Sequence, residues 1–392
     1  MLKKLFKKSL PLQLFLCIVF AFIFGDQLSH TTIRCLYTIS CVLKEILMLV
    51  LPIMIFSYIF AALLSLERNA PLLIIFILVM VVISNALVSF TSYGVGRAML
   101  PFITITQHGN IALAEEMIPY FVLGIPKIVS PDKAMLAGII LGIIFCFFHV
   151  PKITKAGNKL QRIVTGFLEK CFIPFLPLYV LGFILKMHYE GNLSILFQNY
   201  AQVFVLICIL IISYISLMYL IANNFSWTNF KKTVKQMSAA GLTGFSTVSS
   251  AITMPVTIDA TEVNIKDKPF ARLIVPATVN IHMIGHGLSI PITSLTILML
   301  CGHPLPSLES FALFVVFFCL AKFSATAVPG GGIIVILPIL QSQLGFTPEM
   351  SSIIIMLDIL QDAILTSANV MGNGAFAIIC YRLGKWCRLL KG

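Results

Sequence analysis

Charge is scarce in this chain: 11% of its 392 residues are Asp, Glu, Lys or Arg, against 59% hydrophobic, and the mean hydropathy is +1.00. So little charge excludes a soluble globule, and the apolar runs are long enough to cross a hydrocarbon core of about 30 Å. No Walker sequence occurs, which argues against ATP-driven pumping by this chain. The ten cysteines form no CxxC pair and no cysteine-rich module, so buried thiols are expected rather than a disulfide framework. The opening, MLKKLFKKSLPLQLFLCIVFAFIFG, has the basic and apolar regions of a signal peptide without a following small-residue cleavage site. It is expected to remain as a first helix.

What charge there is lies in the right places for a multi-span membrane protein. The net charge of +12 comes from clusters at Lys3, Lys4, Lys7 and Lys8, at Lys152, Lys155, Lys159 and Arg162, at Lys231, Lys232 and Lys235, and at Arg382, Lys385, Arg388 and Lys391. If every cluster is cytoplasmic, the spans between them must be even in number. The apolar pattern predicts helices at about 9–29, 35–64, 71–99, 134–150, 163–188, 197–222, 269–300 and 350–380, which satisfies that parity and puts both termini in the cytoplasm of an inner-membrane protein. An all-α fold of eight transmembrane helices is thus expected.

Two further segments do not fit as spans. One covers about 231–258 and includes SAAGLTGFSTVSSAITMPVT; the other covers about 306–344, with apolar arms Leu308 to Phe323 and Ile333 to Leu344 on either side of SATAVPGGG. At 1.5 Å per residue those arms reach only about 18 to 24 Å, so both segments are expected to be re-entrant hairpins. Irregular backbone at membrane depth survives only beside protein or a water-filled cavity, so the two tips should meet around a polar site. Each hairpin precedes a polar-punctured helix, the first with Asn280, His282 and His286 and the second with Asp362 and Asn369. Because the hairpins enter from opposite sides, this is an inverted repeat, the pattern of a secondary transporter whose half-helix ends face an anion and cations at the midplane.

The last helix carries the polar groups that matter most. Asp358, Asp362, Thr366, Asn369 and Asn373 fall within roughly 80° of one another at about 100° per residue, one stripe on an apolar helix. A carboxylate near the bilayer centre costs about 2.5–3.5 kcal/mol on insertion scales, so Asp362 should have a partner or a substrate. Interhelical hydrogen bonding accounts for Asn369 or Thr366 taken singly, but not for the whole stripe. His282 and His286 are four apart on one face. Their HMIGH spacing lacks the glutamate of the zinc protease pattern, so no metal site and no catalytic residue is assigned.

VPGGG at Val328 to Gly332, SSAITMPVT at Ser249 to Thr257, PATVN at Pro276 to Asn280 and DILQDAILTSANVMGN at Asp358 to Asn373 resemble the dicarboxylate/amino acid:cation symporter family, which includes glutamate and neutral amino acid transporters. The resemblance covers roughly Gly241 to Gly374 and implies an elevator-type transporter, a homotrimer in the lipid bilayer. It assigns about 1–70 and 101–195 to a static scaffold, and about 71–100 and 196–392 to a transport domain. Asp362 would take the substrate amino group and Asn369 its carboxylate. Ser249, Ser250 and the backbone of Ala327, Val328, Pro329 and Gly330 would complete the cradle with Thr366.

The departures from the family pattern narrow the substrate. Members that bind acidic side chains hold the distal carboxylate with an arginine where this chain has Leu365, or on the first hairpin tip where it has Val248. Without that bidentate partner a desolvated carboxylate loses on the order of several kcal/mol, which favours a small neutral amino acid against which Leu365 could pack. The cation positions depart further. Histidine stands at His282 in place of an aspartate, Asn373 in place of a second carboxylate, and Asn280, Asn369, Thr91 and Ser92 remain as neutral oxygens. Sodium compensates its dehydration with hard oxygens, so full sodium coupling is not expected. Lys322 stands where the family offers backbone carbonyls to sodium; it could supply a built-in ammonium, snorkel to a wet surface or pair with Asp358. His282 titrates near neutral pH when unperturbed, so the coupling ion is a proton or sodium, with obligate exchange equally compatible. No other cofactor is implied, and nucleic acid is not an expected partner. A sodium-coupled carrier of acidic substrates is the alternative, and a membrane enzyme using His282, His286 and Asp362 is a third reading.

Overall fold

The computed structural model describes residues 10–64, 71–103, 117–125, 129, 131–148, 150–167, 170–171, 173–323 and 331–387, and among these there is no strand. The expected hairpin-tip residues Ala327, Val328, Pro329 and Gly330 lie outside them, as do the basic residues Lys3 to Lys8, Arg388 and Lys391. The helices are α1 (Leu10–Phe24), α2 (His30–Leu64), α3 (Pro71–Met99), α4 (Pro131–Phe148), α5 (Pro151–Phe167), α6 (Leu176–Tyr189) and α7 (Asn192–Ala222). They continue as α8 (Trp227–Thr247), α9 (Ser250–Ile265), α10 (Lys268–Thr278), α11 (Ile284–Leu300), α12 (Leu308–Lys322), α13 (Gly331–Leu344) and α14 (Pro348–Trp386). The cysteines described are free.

Two expected helices are broken. The segment expected as one helix at 163–188 divides into α5 and α6, with a 3-10 turn at Ile173–Phe175. Pro174 and Pro177 explain the break, since proline lacks the amide hydrogen and disfavours helical backbone in the residue before it. The segment expected at 269–300 divides into α10 and α11 around Val279–Met283. Both hairpin segments form helix pairs, α8–α9 and α12–α13, each packed arm against arm.

One group of helices gathers on α2, which packs against α4, α5 and α6, with α1 against α6. Small residues permit the closest approach: a Cβ added at Gly182 of α6 would stand 2.4 Å from the Leu36 carbonyl of α2. On α5, Lys152, Lys155, Lys159 and Arg162 are exposed along one face while Gly157 and Val164 are buried, an amphipathic arrangement. The other group gathers on α14, which packs against α7, α8, α9 and α11, while α11 also packs on α3. Thr347 caps α14 by accepting from the Met350 amide, and Pro348 sits at its first turn. At 39 residues α14 is roughly 58 Å long by helical rise, longer than a bilayer core.

Three of the described helices are long and apolar enough to cross a membrane on their own, over Ile75–Met99, Phe197–Ala222 and Glu349–Trp386. Their surroundings differ. Along α3 the side chains of Leu72, Ile75, Val79, Ile83 and Leu87 are exposed at helical spacing, as are Val205, Ile209 and Ile212 of α7. The interior of α14 is walled in by its neighbours, with Ile354, Leu357, Leu365 and Val370 fully buried.

Candidate functional site

The site forms where α11 lies across α14, close enough that a Cβ added at Gly285 would stand 2.4 Å from the Leu365 carbonyl oxygen. This contact buries Leu365 completely. Asp362, Thr366, Asn369 and Asn373 are all buried on the same seam, as the stripe requires. Thr366 donates its hydroxyl to Asp362 Oδ1 at 3.1 Å. The Gly285 amide donates to Asn369 Oδ1 at 2.8 Å, which turns the amide nitrogen of Asn369 toward His286 Nδ1 at 3.1 Å.

That network assigns the tautomer of His286. Since Nδ1 accepts, the hydrogen of a neutral ring is on Nε2, which lies 3.8 Å from Asp358 Oδ2 and 3.9 Å from Asp362 Oδ1. His286 is therefore an interior, hydrogen-bonded histidine placed between two carboxylates. Gly332, at the start of α13, stands over it; an added Cβ would meet His286 Nε2 at 3.5 Å.

The broken helix supplies the second part of the site. Asn85 of α3 repairs the exposed backbone between α10 and α11, donating to the Ile281 carbonyl at 2.8 Å and accepting from the Met283 amide at 3.4 Å. His282 is held at both ring nitrogens, by Asn373 Oδ1 at 2.8 Å from Nδ1 and by the Ser84 hydroxyl at 2.9 Å from Nε2. Its ring packs on Phe376, with centroids 4.1 Å apart. The two positions that replace aspartates in the resemblance thus bond to each other.

Lys322 neither reaches a wet surface nor pairs with Asp358. It is fully buried, its Nζ 3.3 Å from Asn85 Oδ1, 3.4 Å from the Met283 carbonyl and 4.2 Å from the centre of the Phe318 ring. Among the described residues no carboxylate lies within ion-pair distance of it, so its partners are neutral oxygens and an aromatic face.

Other expected residues are placed elsewhere. Thr91 donates to Leu87 in its own helix and Ser92 to the Leu288 carbonyl, two turns along α3 from His282; Ser84 and Asn85 stand there instead. Asn280 is exposed and joins neither Asn369 nor Asn373. On the first hairpin, Val248 ends α8 in the left-handed region at φ 51°, and buried Ser249 caps α9 by accepting from the Ile252 amide. Ser250 follows as the first residue of α9, half-buried. No group of three metal-ligating side chains occurs among the described residues. Asn85 was visible in the sequence as a polar residue inside an apolar span, and Gln361, which donates to Ser289 at 2.7 Å, as the neighbour of Asp362. Their partners were not.

Comparison with known proteins bears on the family. Residues 10–383 match the sodium:dicarboxylate symporter family. Over 147 residues, 37% of the chain, it is 32% identical to excitatory amino acid transporter 2 of Homo sapiens and of Mus musculus, covering 25% of each. An excitatory amino acid transporter of Caenorhabditis elegans is 31% identical over 29% of its length. The chain thus aligns with about a quarter to a third of these relatives. The family consists of multi-pass membrane transporters rather than enzymes, which removes the enzyme reading. The match over nearly all of the described helices places the chain: it belongs to the sodium:dicarboxylate symporter family.

Proposed function

We propose that this chain is a secondary transporter that carries a small neutral amino acid across the membrane by an elevator movement, with proton coupling or exchange in place of full sodium symport. The observation that carries the reading is the buried seam of Asp362, Thr366 and Asn369. A buried carboxylate beside neutral hydrogen-bonding groups suits an ammonium, and the amide of Asn369 suits a carboxylate. The N-terminus of α9, capped by Ser249 and begun by Ser250, and the segment Ala327 to Gly330 would close the cradle around the substrate.

Neutral substrates are favoured because neither Val248 nor Leu365 supplies a cation, and Lys322 is engaged with Asn85 and Met283. The coupling reading rests on the same neighbourhood. His282 bonds to Asn373 Oδ1, and the Lys322 side chain rests on oxygens that a mobile cation would use. The family description, with its sodium and dicarboxylate, and the excitatory amino acid transporters among the relatives favour a second reading, sodium-coupled uptake of acidic amino acids. The two contact groups, one on α2 and one on α14, support a scaffold and a moving bundle; the homotrimer rests on the resemblance alone.

Uptake into liposomes of radiolabelled serine, alanine, leucine and aspartate tests both readings under a sodium gradient, a proton gradient, or internal amino acid alone. Flux of neutral substrates driven by protons or by internal substrate is expected. Concentrative, sodium-driven aspartate uptake would replace this reading by the second.

A further inference from the structure

The chain has two tryptophans, Trp227 and Trp386, and both are exposed, by 59% and 83%. They are far apart in sequence, yet the packing of α8 on α14 brings them to one level. The two helices run antiparallel: a Cβ added at Gly244 would meet Val370, one at Gly241 would meet Met371, and one at Gly374 would meet Met237. In that register Trp227 lies ten residues beyond Met237 and Trp386 twelve beyond Gly374, about 15 and 18 Å of helical rise. Arg382 ties the same end together by donating to Asn224 Oδ1 at 2.7 Å.

Cations stand beside the indoles without acidic partners. Lys231 Nζ is 5.3 Å from the centre of the Trp227 ring, which stacks on Phe230, and Lys385 Nζ is 4.7 Å from that of Tyr381. Lys231, Lys235 and Lys385 are exposed, and among the described residues no carboxylate lies within ion-pair distance of them. On the α9–α10 turn, Glu262 is held by Arg272 at 2.6 Å and Asp267 accepts from the Phe270 amide.

Further along α8 the same face changes character. Trp227, Lys231, Lys235, Leu242 and Phe245 fall within roughly 80° of one another at about 100° per residue. Leu242 and Phe245 are exposed too, two turns or more beyond the last lysine. A face that runs from indole and ammonium to bare hydrocarbon matches the profile of a phospholipid from headgroup to acyl chain.

We propose that Trp227, Lys231 and Lys235 of α8, with Lys385 and Trp386 of α14, form a docking surface for an anionic phospholipid of the adjacent leaflet. The lysines take the negative charge of the headgroup. The indoles suit the boundary between headgroup and acyl chains, where an apolar ring and a polar N–H are both satisfied, and the chains cover Leu242 and Phe245. A zwitterionic headgroup brings no net charge and leaves the three ammonium groups uncompensated, which is the source of the selectivity. The surface rests on the membrane location of the family and goes beyond the proposed function, for it depends on neither the amino acid carried nor the coupling ion.

The test is intrinsic tryptophan fluorescence of the full chain in phosphatidylcholine liposomes. Phosphatidylglycerol with brominated acyl chains, which quench an indole in contact, is compared with brominated phosphatidylcholine at the same low mole fraction. Stronger quenching by phosphatidylglycerol is expected, and replacing Lys231, Lys235 and Lys385 together by Gln should abolish the preference. Lys231→Gln alone should lower it by up to about fivefold, the weight of one ammonium at a membrane surface. Trp227→Phe and Trp386→Phe, each leaving one reporter, should both retain it. Lys155→Gln, on the basic face of α5, should leave it unchanged. Equal quenching by the two lipids overturns the proposal, as does a preference that survives the triple variant, that Lys155→Gln removes, or that only one tryptophan reports. Absence of quenching by either lipid, as when water or a second copy of the chain covers this face, overturns it too. Amino acid flux tests the proposed function separately, so either can fail alone.

Discussion

The two ends of the α11–α14 seam contrast in how their polar groups are satisfied. Around His282 the ring is bonded at both nitrogens and stacked on Phe376, and the nearby ammonium of Lys322 rests on Asn85 and Met283. Around Asp358, two carboxylates share one imidazole at distances of 3.8 and 3.9 Å, and several oxygens have no donor. The first end leaves one donor, the amide nitrogen of Asn373, without a partner; the second leaves both oxygens of the Asp358 carboxylate so, and offers charge and lone pairs. In a membrane interior, where an unpaired polar atom is costly, that difference is the one the proposed function builds on.

The sharpest way to break the contrast is Asp362→Asn. Amino acid binding, measured by radioligand equilibrium, should weaken by about 100-fold or more, because the substrate ammonium would be buried without a counter-charge. Retained affinity would remove Asp362 from the amine-binding role. Lys322→Met addresses the closed end: it frees Asn85 Oδ1 and the Met283 carbonyl, and uptake insensitive to sodium should become sodium-stimulated. If its ion dependence stays the same, the lysine is structural.

Smaller effects sharpen the comparison. Asn373→Ala takes the partner from His282 Nδ1 and should cost about 1–3 kcal/mol of stability in a chemical unfolding titration, the desolvation penalty of one unpaired group, while amino acid affinity stays unchanged. A parallel loss of affinity would mean that both ends serve the substrate. Ser249→Ala removes the cap of α9 and should cost about 1 kcal/mol, seen as faster amide exchange confined to the first turn of that helix. Exchange that accelerates across the whole of α8 and α9 would mean that the hairpin depends on more than its cap.

Much of the architecture was legible because it is local. The helices at 35–64 and 71–99 coincide closely with α2 and α3, and the arms of the second hairpin with α12 and α13, whereas the first hairpin, expected over about 231–258, extends as α8 and α9 from Trp227 to Ile265. Prolines at 174 and 177 broke a helix that hydropathy alone ran together. The break before α11 had no comparable signal, since its backbone groups are repaired by Asn85 on a distant helix.

The amino-acid order by itself determined that the chain is a membrane protein, where most helices run, and that Asp358, Asp362, Thr366, Asn369 and Asn373 share one face of the last helix. Those properties follow from composition and from helical periodicity, which covalent geometry sets within a few turns. Only the tertiary structure decided that Asn373 meets His282, that Ser84 and Asn85 take the place expected for Thr91 and Ser92, and that Lys322 rests on neutral oxygens. Seven residues along α3 amount to about 10 Å of rise, so the depth at which two helices pack, which no periodicity encodes, chooses which side chains become partners.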